Sequence, residues 1–175
     1  HAPGYDDEVA DSAALDVIAF HAFSENSEIY KKLVIEEQKV ETVFPTYYDH
    51  RDPYLFSAIA LVKKAEDLDY VEQEMLSVFD GLRENEISAD EIDAVKSHLR
   101  FSFARSMDST AAIARTLAHF LGLRRSPETI NKRYSLYRQI SPADIQAVAK
   151  KYFVPQGRTT ARLVFRPETE GGGKP

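Results

Sequence analysis

Two adjacent carboxylates, Glu36 and Glu37, stand in the stretch "LVIEEQKVE" beside Gln38 and Lys39. Paired carboxylates are residue types that can share acid–base work. Their spacing argues against it, because neighbours on a helix point about 100° apart and face no common pocket. Tyr47 and Tyr48, adjacent in a β-rich run, likewise face opposite sides of a strand. The five histidines are His1, His21, His50, His98 and His119, and no two stand three or four residues apart. No helix face or tight turn therefore presents a pair of imidazoles to a metal. His21, His98 and His119 read as packed or surface side chains, and His50, between Asp49 and Asp52, as a turn residue. The chain has no cysteine, which removes disulfides and thiolate metal sites. It has no Gly-x-Ser-x-Gly elbow, and its seven glycines form no phosphate-cradling loop. From the residues alone, no catalytic, cofactor-binding or metal-ligating residue is assigned.

Charge is distributed unevenly. Residues 1–95 carry 7 Lys/Arg and 23 Asp/Glu, whereas residues 96–166 carry 14 and 3. The basic part includes Lys96, Arg100, Arg105, Arg115, Arg124, Arg125, Lys132, Arg133 and Arg138, with Phe101, Phe103, Tyr134 and Tyr137 interleaved. Basic residues with exposed aromatics could grip a nucleic-acid strand. Here the aromatics continue apolar stripes and the pI is about 5.4, so nucleic acid is not the expected partner. The expectation is that the acidic and basic halves pack together and largely cancel each other's fields.

The elements that must position these residues follow from periodicity. Residues 6–23 place Val9, Ala13, Val17 and Phe20 at helical spacing, with Asp6, Asp7 and Glu8 where a helix start favours anions. "SENSEIYKKLVIEE" predicts a shorter helix with Ile29 and Leu33 inward. "KVETVFPTYY" and "YLFSAIALV", joined by "DHRDP", predict an antiparallel hairpin over 39–63. A helix follows with Val71, Met75, Val78, Phe79 and Leu82 on one face. The next opens at Ser88 with Glu91 at capping-box spacing. Further helices are predicted over 109–123 and from "SPET" through Tyr137, and the last opens at Ser141–Pro142. "TTARLVF" alternates Ala161, Leu163 and Phe165, predicting a final strand. The expected class is α+β: an antiparallel sheet packed on one face by helices.

The chain's 175 residues suit a single α+β domain over 1–166, followed by a Gly-rich tail or linker at 167–175. No apolar run approaches the roughly 20 residues that cross a bilayer, so no membrane partner is expected. The opening "HAPGYDD" lacks Met and a secretory leader and reads as a processed or excised piece.

Taken in order, "SEIYKKLVIEEQKV", "YLFSAIALV", "VEQEMLSVFDGLRENEISADEIDAVKSHL" and "ISPADIQAVAKKYFVPQGRTTARLVF" resemble the pitrilysin/insulinase metallopeptidase family, which includes processing-peptidase-like proteins. The resemblance covers about residues 5–166 and is to the second, C-terminal type of domain. It implies a non-catalytic scaffold and substrate-enclosing domain of a zinc-dependent peptidase. The family's inverted His-x-x-Glu-His motif has no counterpart here. No cofactor is therefore expected in this chain, zinc is expected in a preceding catalytic domain, and the chain alone should be inactive. The further partners implied are a second homologous half and a peptide substrate. The family's distal Arg and Tyr fall at Val34 and Glu41, which points to the zinc-bearing half or to an inactive paralogue. The alternative is thus a domain of an inactive paralogue serving as a structural assembly subunit. A soluble periplasmic or organellar setting fits such a protein, but nothing in the residues fixes the compartment.

Overall fold

The computed structural model describes residues 2–164. Helix α1 (Asp11–Phe23) is apolar nearly all round, and nine of its side chains, from Ser12 to Phe23, are buried. A helix with no polar face has no place at a surface, so α1 runs through the middle of the core. It begins later than the predicted Asp6. The backbone N–H of Glu8 donates to Asp6 Oδ1 at 2.9 Å, closing a local turn that competes with the helix. Asp6 and Asp7 are then free to meet Arg124.

A helical turn, α2 (Glu28–Tyr30), is capped by Ser27, whose Oγ accepts from Tyr30 N–H. It widens into a π-helical segment, Lys31–Glu36. The hairpin follows as β1 (Val40–Thr46) and β2 (Ser57–Val62), with Val43 opposite Ala60, Phe44 opposite Ile59 and Thr46 opposite Ser57. A bulge between Val40 and Thr42 lets Val40 and Val43, three residues apart, both point into the core. The strands stop short of the predicted ends because the connection pairs elsewhere. Ala2 and Tyr54 exchange backbone hydrogen bonds at 2.8 and 3.1 Å, and Tyr5 N–H donates to His50 O at 2.7 Å.

The rest is helical: α3 (Leu68–Glu84), α4 (Ala89–Ser106), α5 (Thr110–Arg124), α6 (Glu128–Gln139) and α7 (Pro142–Tyr152). Helices α4 and α7 start at full capping boxes, Ser88/Glu91 and Ser141/Asp144. Among the described residues the sheet has two antiparallel strands, and one face is covered by helices, which makes the class α+β as expected. Helix α7 lies against α1 and α3, while α4 and α6 flank α1. Rings of Phe23, Phe79, Phe153 and Phe56 meet with centroids 4.9–5.0 Å apart along the chain of contacts joining α1, α3, the carboxyl end of α7 and the hairpin connection.

The predicted final strand is not formed over residues 158–164, and Phe165 and the Gly-rich tail lie outside the described residues. Alternation creates a strand only when a neighbouring strand takes one face. Leu163 is instead fully exposed. Arg162 binds Asp69 at 2.6 Å and Glu72 at 2.8 Å in the first turns of α3.

Candidate functional site

The junction that carries Glu36 and Glu37 separates them. Glu36 is exposed, whereas Glu37 accepts from the Tyr70 hydroxyl at 2.8 Å. The π-helical turn closes with Glu37 N–H on Lys32 O and Lys39 N–H on Leu33 O, which forces Gln38 into the left-handed region at φ 54°. Lys32 and Lys39 approach the Tyr70 ring at 5.7 and 5.4 Å. Lys32 pairs with Glu74 at 2.6 Å, and Lys39 pairs with Asp67. This is an ion-paired splice from helix to sheet and holds no acid–base dyad. Val34 packs against the core, while Glu41 is exposed.

The hairpin offers a different kind of surface. Val43, Ala58, Ala60 and Val62 pack inward. The strand alternation therefore sends Thr42, Phe44, Thr46, Ser57, Ile59 and Leu61 outward. Of these, Phe44 and Ile59 are each 36% exposed and Leu61 is 48% exposed. Phe44 and Ile59 are cross-strand partners, as are Thr42 and Leu61, so the apolar groups form one contiguous patch. Each strand also has an outer edge without a ladder partner among the described residues, and such edges can accept another extended chain.

A third constellation is buried. Arg133, on α6 and 6% exposed, donates from Nη1 to Asp49 Oδ1 at 2.9 Å, from Nη2 to Asp16 Oδ2, and from Nε to the Tyr137 hydroxyl at 2.9 Å. Tyr137 donates to Asp16 in turn. The guanidinium also lies 5.1 Å from the Tyr5 ring centroid, and the Tyr5 hydroxyl meets Thr129 Oγ1 at 2.9 Å. Burial acts to lower the Arg133 pKa, but the charges of Asp16, Tyr137 and Asp49 outweigh it and hold the pKa well above the ordinary value. Asp49 is pushed up by burial, and the Arg133 charge only partly offsets this. Burial likewise raises Tyr137 and Tyr47. The cluster joins α1, the hairpin connection and α6. Its donors and acceptors are used on one another, so it acts as a structural tie. By charge alone Arg133 groups with the other basic residues of 96–166. The signal that could have separated it is its place four residues before Tyr137, on the apolar stripe of α6.

The histidines stand apart from one another. His98 stacks on Phe20 at 4.0 Å and meets Ser102, His119 lies edge-on to Phe120, and His50 packs on Tyr54 at 4.2 Å. His21 is held below its usual pKa by burial. Among the described residues, no three His, Asp or Glu side chains converge as a zinc ligand set would, so the residues present do not fit that ion. No helix of the described residues is long and apolar enough to cross a membrane.

The chain matches the family model described as the peptidase M16 inactive domain over residues 1–99. Its fold is similar to that of a protease from Helicobacter pylori, with 22% identity and a TM-score of 0.75 over 87% of this chain and 36% of that one. It is similar also to a candidate zinc protease from Bordetella pertussis Tohama I, with 19% identity, a TM-score of 0.78, and 94% and 91% of the two chains covered. The inactive peptidase domain of a candidate zinc protease from Bordetella parapertussis gives 21% identity, a TM-score of 0.80, and 94% and 88% coverage. This chain thus spans about a third of the Helicobacter protein and most of each Bordetella chain. No curated protein matches it.

Proposed function

We propose that this chain, which belongs to the peptidase M16 inactive-domain family, is a non-catalytic wall domain of a zinc-dependent peptidase. In this reading the zinc ion and its ligands reside in a separate catalytic domain. This domain packs beside it and encloses the peptide being cut. The observation that carries the reading is the outward hairpin face. Phe44, Ile59 and Leu61 form an apolar patch next to strand edges that have no ladder partner among the described residues, which suits an extended peptide laid along the sheet. The similarity to candidate zinc proteases supports it.

The contribution to chemistry is indirect. An apolar wall excludes water, and ladder donors and acceptors fix the substrate backbone. The test has two parts. The chain alone, supplied with zinc and a fluorogenic peptide mixture, is expected to hydrolyse nothing. Joined to the zinc-bearing domain of its parent, Phe44→Ser and Ile59→Ser should each lower kcat/KM about tenfold, equivalent to roughly 1.4 kcal/mol of lost contact, with zinc content unchanged. Zinc-dependent turnover by the chain alone, or full activity of both variants in the joined protein, overturns the proposal.

A further inference from the structure

Helix α5 is held to the body along one side only. Ala112 and Phe120 are buried, and Phe120 sits edge-on to Tyr5 with centroids 6.1 Å apart. The opposite side is open and almost free of polar groups. Ala111, Ala114, Ala118 and Gly122 are exposed, and a Cβ placed at Gly122 would meet nothing within 4 Å. Beside them Ile113, Leu117 and Leu121, at successive four-residue steps, are 41%, 37% and 41% exposed. A water-facing helix side normally carries charge, so this face has the composition of a packing surface.

Its surroundings name the chemistry of what would cover it. Residues 96–125 hold six basic side chains and one acidic one, Asp108. Lys96 is paired with Asp93, and Arg124 with Asp6 and Asp7. Arg115 and Arg125 flank the face on α5 and its carboxyl end, are exposed, and make no ion pair among the described residues. A second copy docked by the same face would set these arginines near their own kind. A lipid surface is better entered by large side chains than by alanines and a glycine. Small residues let another backbone approach closely instead.

We propose that the outward face of α5 docks a helix of a partner protein that presents an apolar seam rimmed by carboxylates. The proposal is independent of any peptidase role. The probe is a fluorescent synthetic helix of about 22 residues, six turns long, with a Leu/Ala seam and Glu flanks. A Lys-flanked counterpart serves as the comparison. The Glu form should bind the whole chain at least about tenfold more tightly than the Lys form, about 1.4 kcal/mol, and should weaken as salt is raised. Leu117→Glu and Ala118→Glu should each weaken it about tenfold or more. Arg115→Glu combined with Arg125→Glu, two surface changes that spare the fold, should reverse the preference. Several results overturn the proposal: equal binding of both helices, unchanged binding in the variants, α5-dependent self-association in sedimentation, or stronger retention on vesicles containing about one-quarter phosphatidylserine.

Discussion

Replacing Arg133 with Met keeps most of the aliphatic stem and removes the charge. Asp16 and Asp49 would then face each other, and the Tyr137 hydroxyl would lose its Nε donor. Removing one partner of a buried ion pair costs about 3–5 kcal/mol. The Asp16 side chain is 20% exposed and can regain some water, whereas the Asp49 side chain is 12% exposed and cannot easily do so. The lower part of that range, about 3–4 kcal/mol, is therefore expected at pH 7. For a chain of this size each kcal/mol moves Tm by roughly 2–4 °C, so the fall should be about 6–16 °C. Guanidinium titration followed by far-UV circular dichroism measures the same loss. Adding Asp16→Asn and Asp49→Asn removes the stranded charges and should return at least about half of it. A loss below about 1 kcal/mol, or no recovery in the triple variant, would refute the view that Arg133 ties α1, the hairpin connection and α6 together.

Asp49 gives a pH signature. Its raised pKa means that the folded state holds the proton more readily than the unfolded chain, so stability falls as pH rises from about 3.9 through the raised value; Asp49→Asn should flatten the fall of the denaturation midpoint as pH rises above about 3.9. Gly4→Ala should cost about 1–3 kcal/mol in a thermal melt, because its Cβ would lie 2.5 Å from Arg51 O. Ser141→Ala should cost about 1 kcal/mol by breaking the box with Asp144 at the start of α7, while Gln38→Gly should raise stability by about 0.5–1 kcal/mol by relieving its left-handed backbone.

The legible parts of the fold are those set by local chemistry. Ser88 with Glu91, and Ser141 with Pro142, announce α4 and α7; the first box closes as its spacing requires, and the structure adds a second box between Ser141 and Asp144. The β-branched runs announce the hairpin, and the step from Val40 to Val43 needs a bulge that no local signal marks. The acidic and basic halves meet, as expected, through ion pairs joining Arg124 and Lys132 to Asp7, Lys151 to Asp11, and Arg162 to Asp69. What escaped depends on distant partners. The π-helical turn at Lys31–Glu36 carries no local signal in the sequence, and Lys32 within it and Glu37 and Lys39 just after it meet Tyr70 of the distant α3. "TTARLVF" has strand composition without a strand beside it over residues 158–164. The outward hairpin patch, the candidate site, was half legible. Alternation in β1 and β2 is evident, but which face remains uncovered depends on α1 and α3, which pack on β1 and β2.

A guanidinium that must reach Asp16, Asp49 and Tyr137 at once leaves α6 no freedom to spin about its axis or slip by a turn. Helix α5 leans on α6 and on Tyr5, the same ring that the guanidinium overlies. The aim of the outermost helix is in this way indexed by an ionic knot that solvent barely touches, and loosening the knot would misdirect a surface that contains none of its atoms.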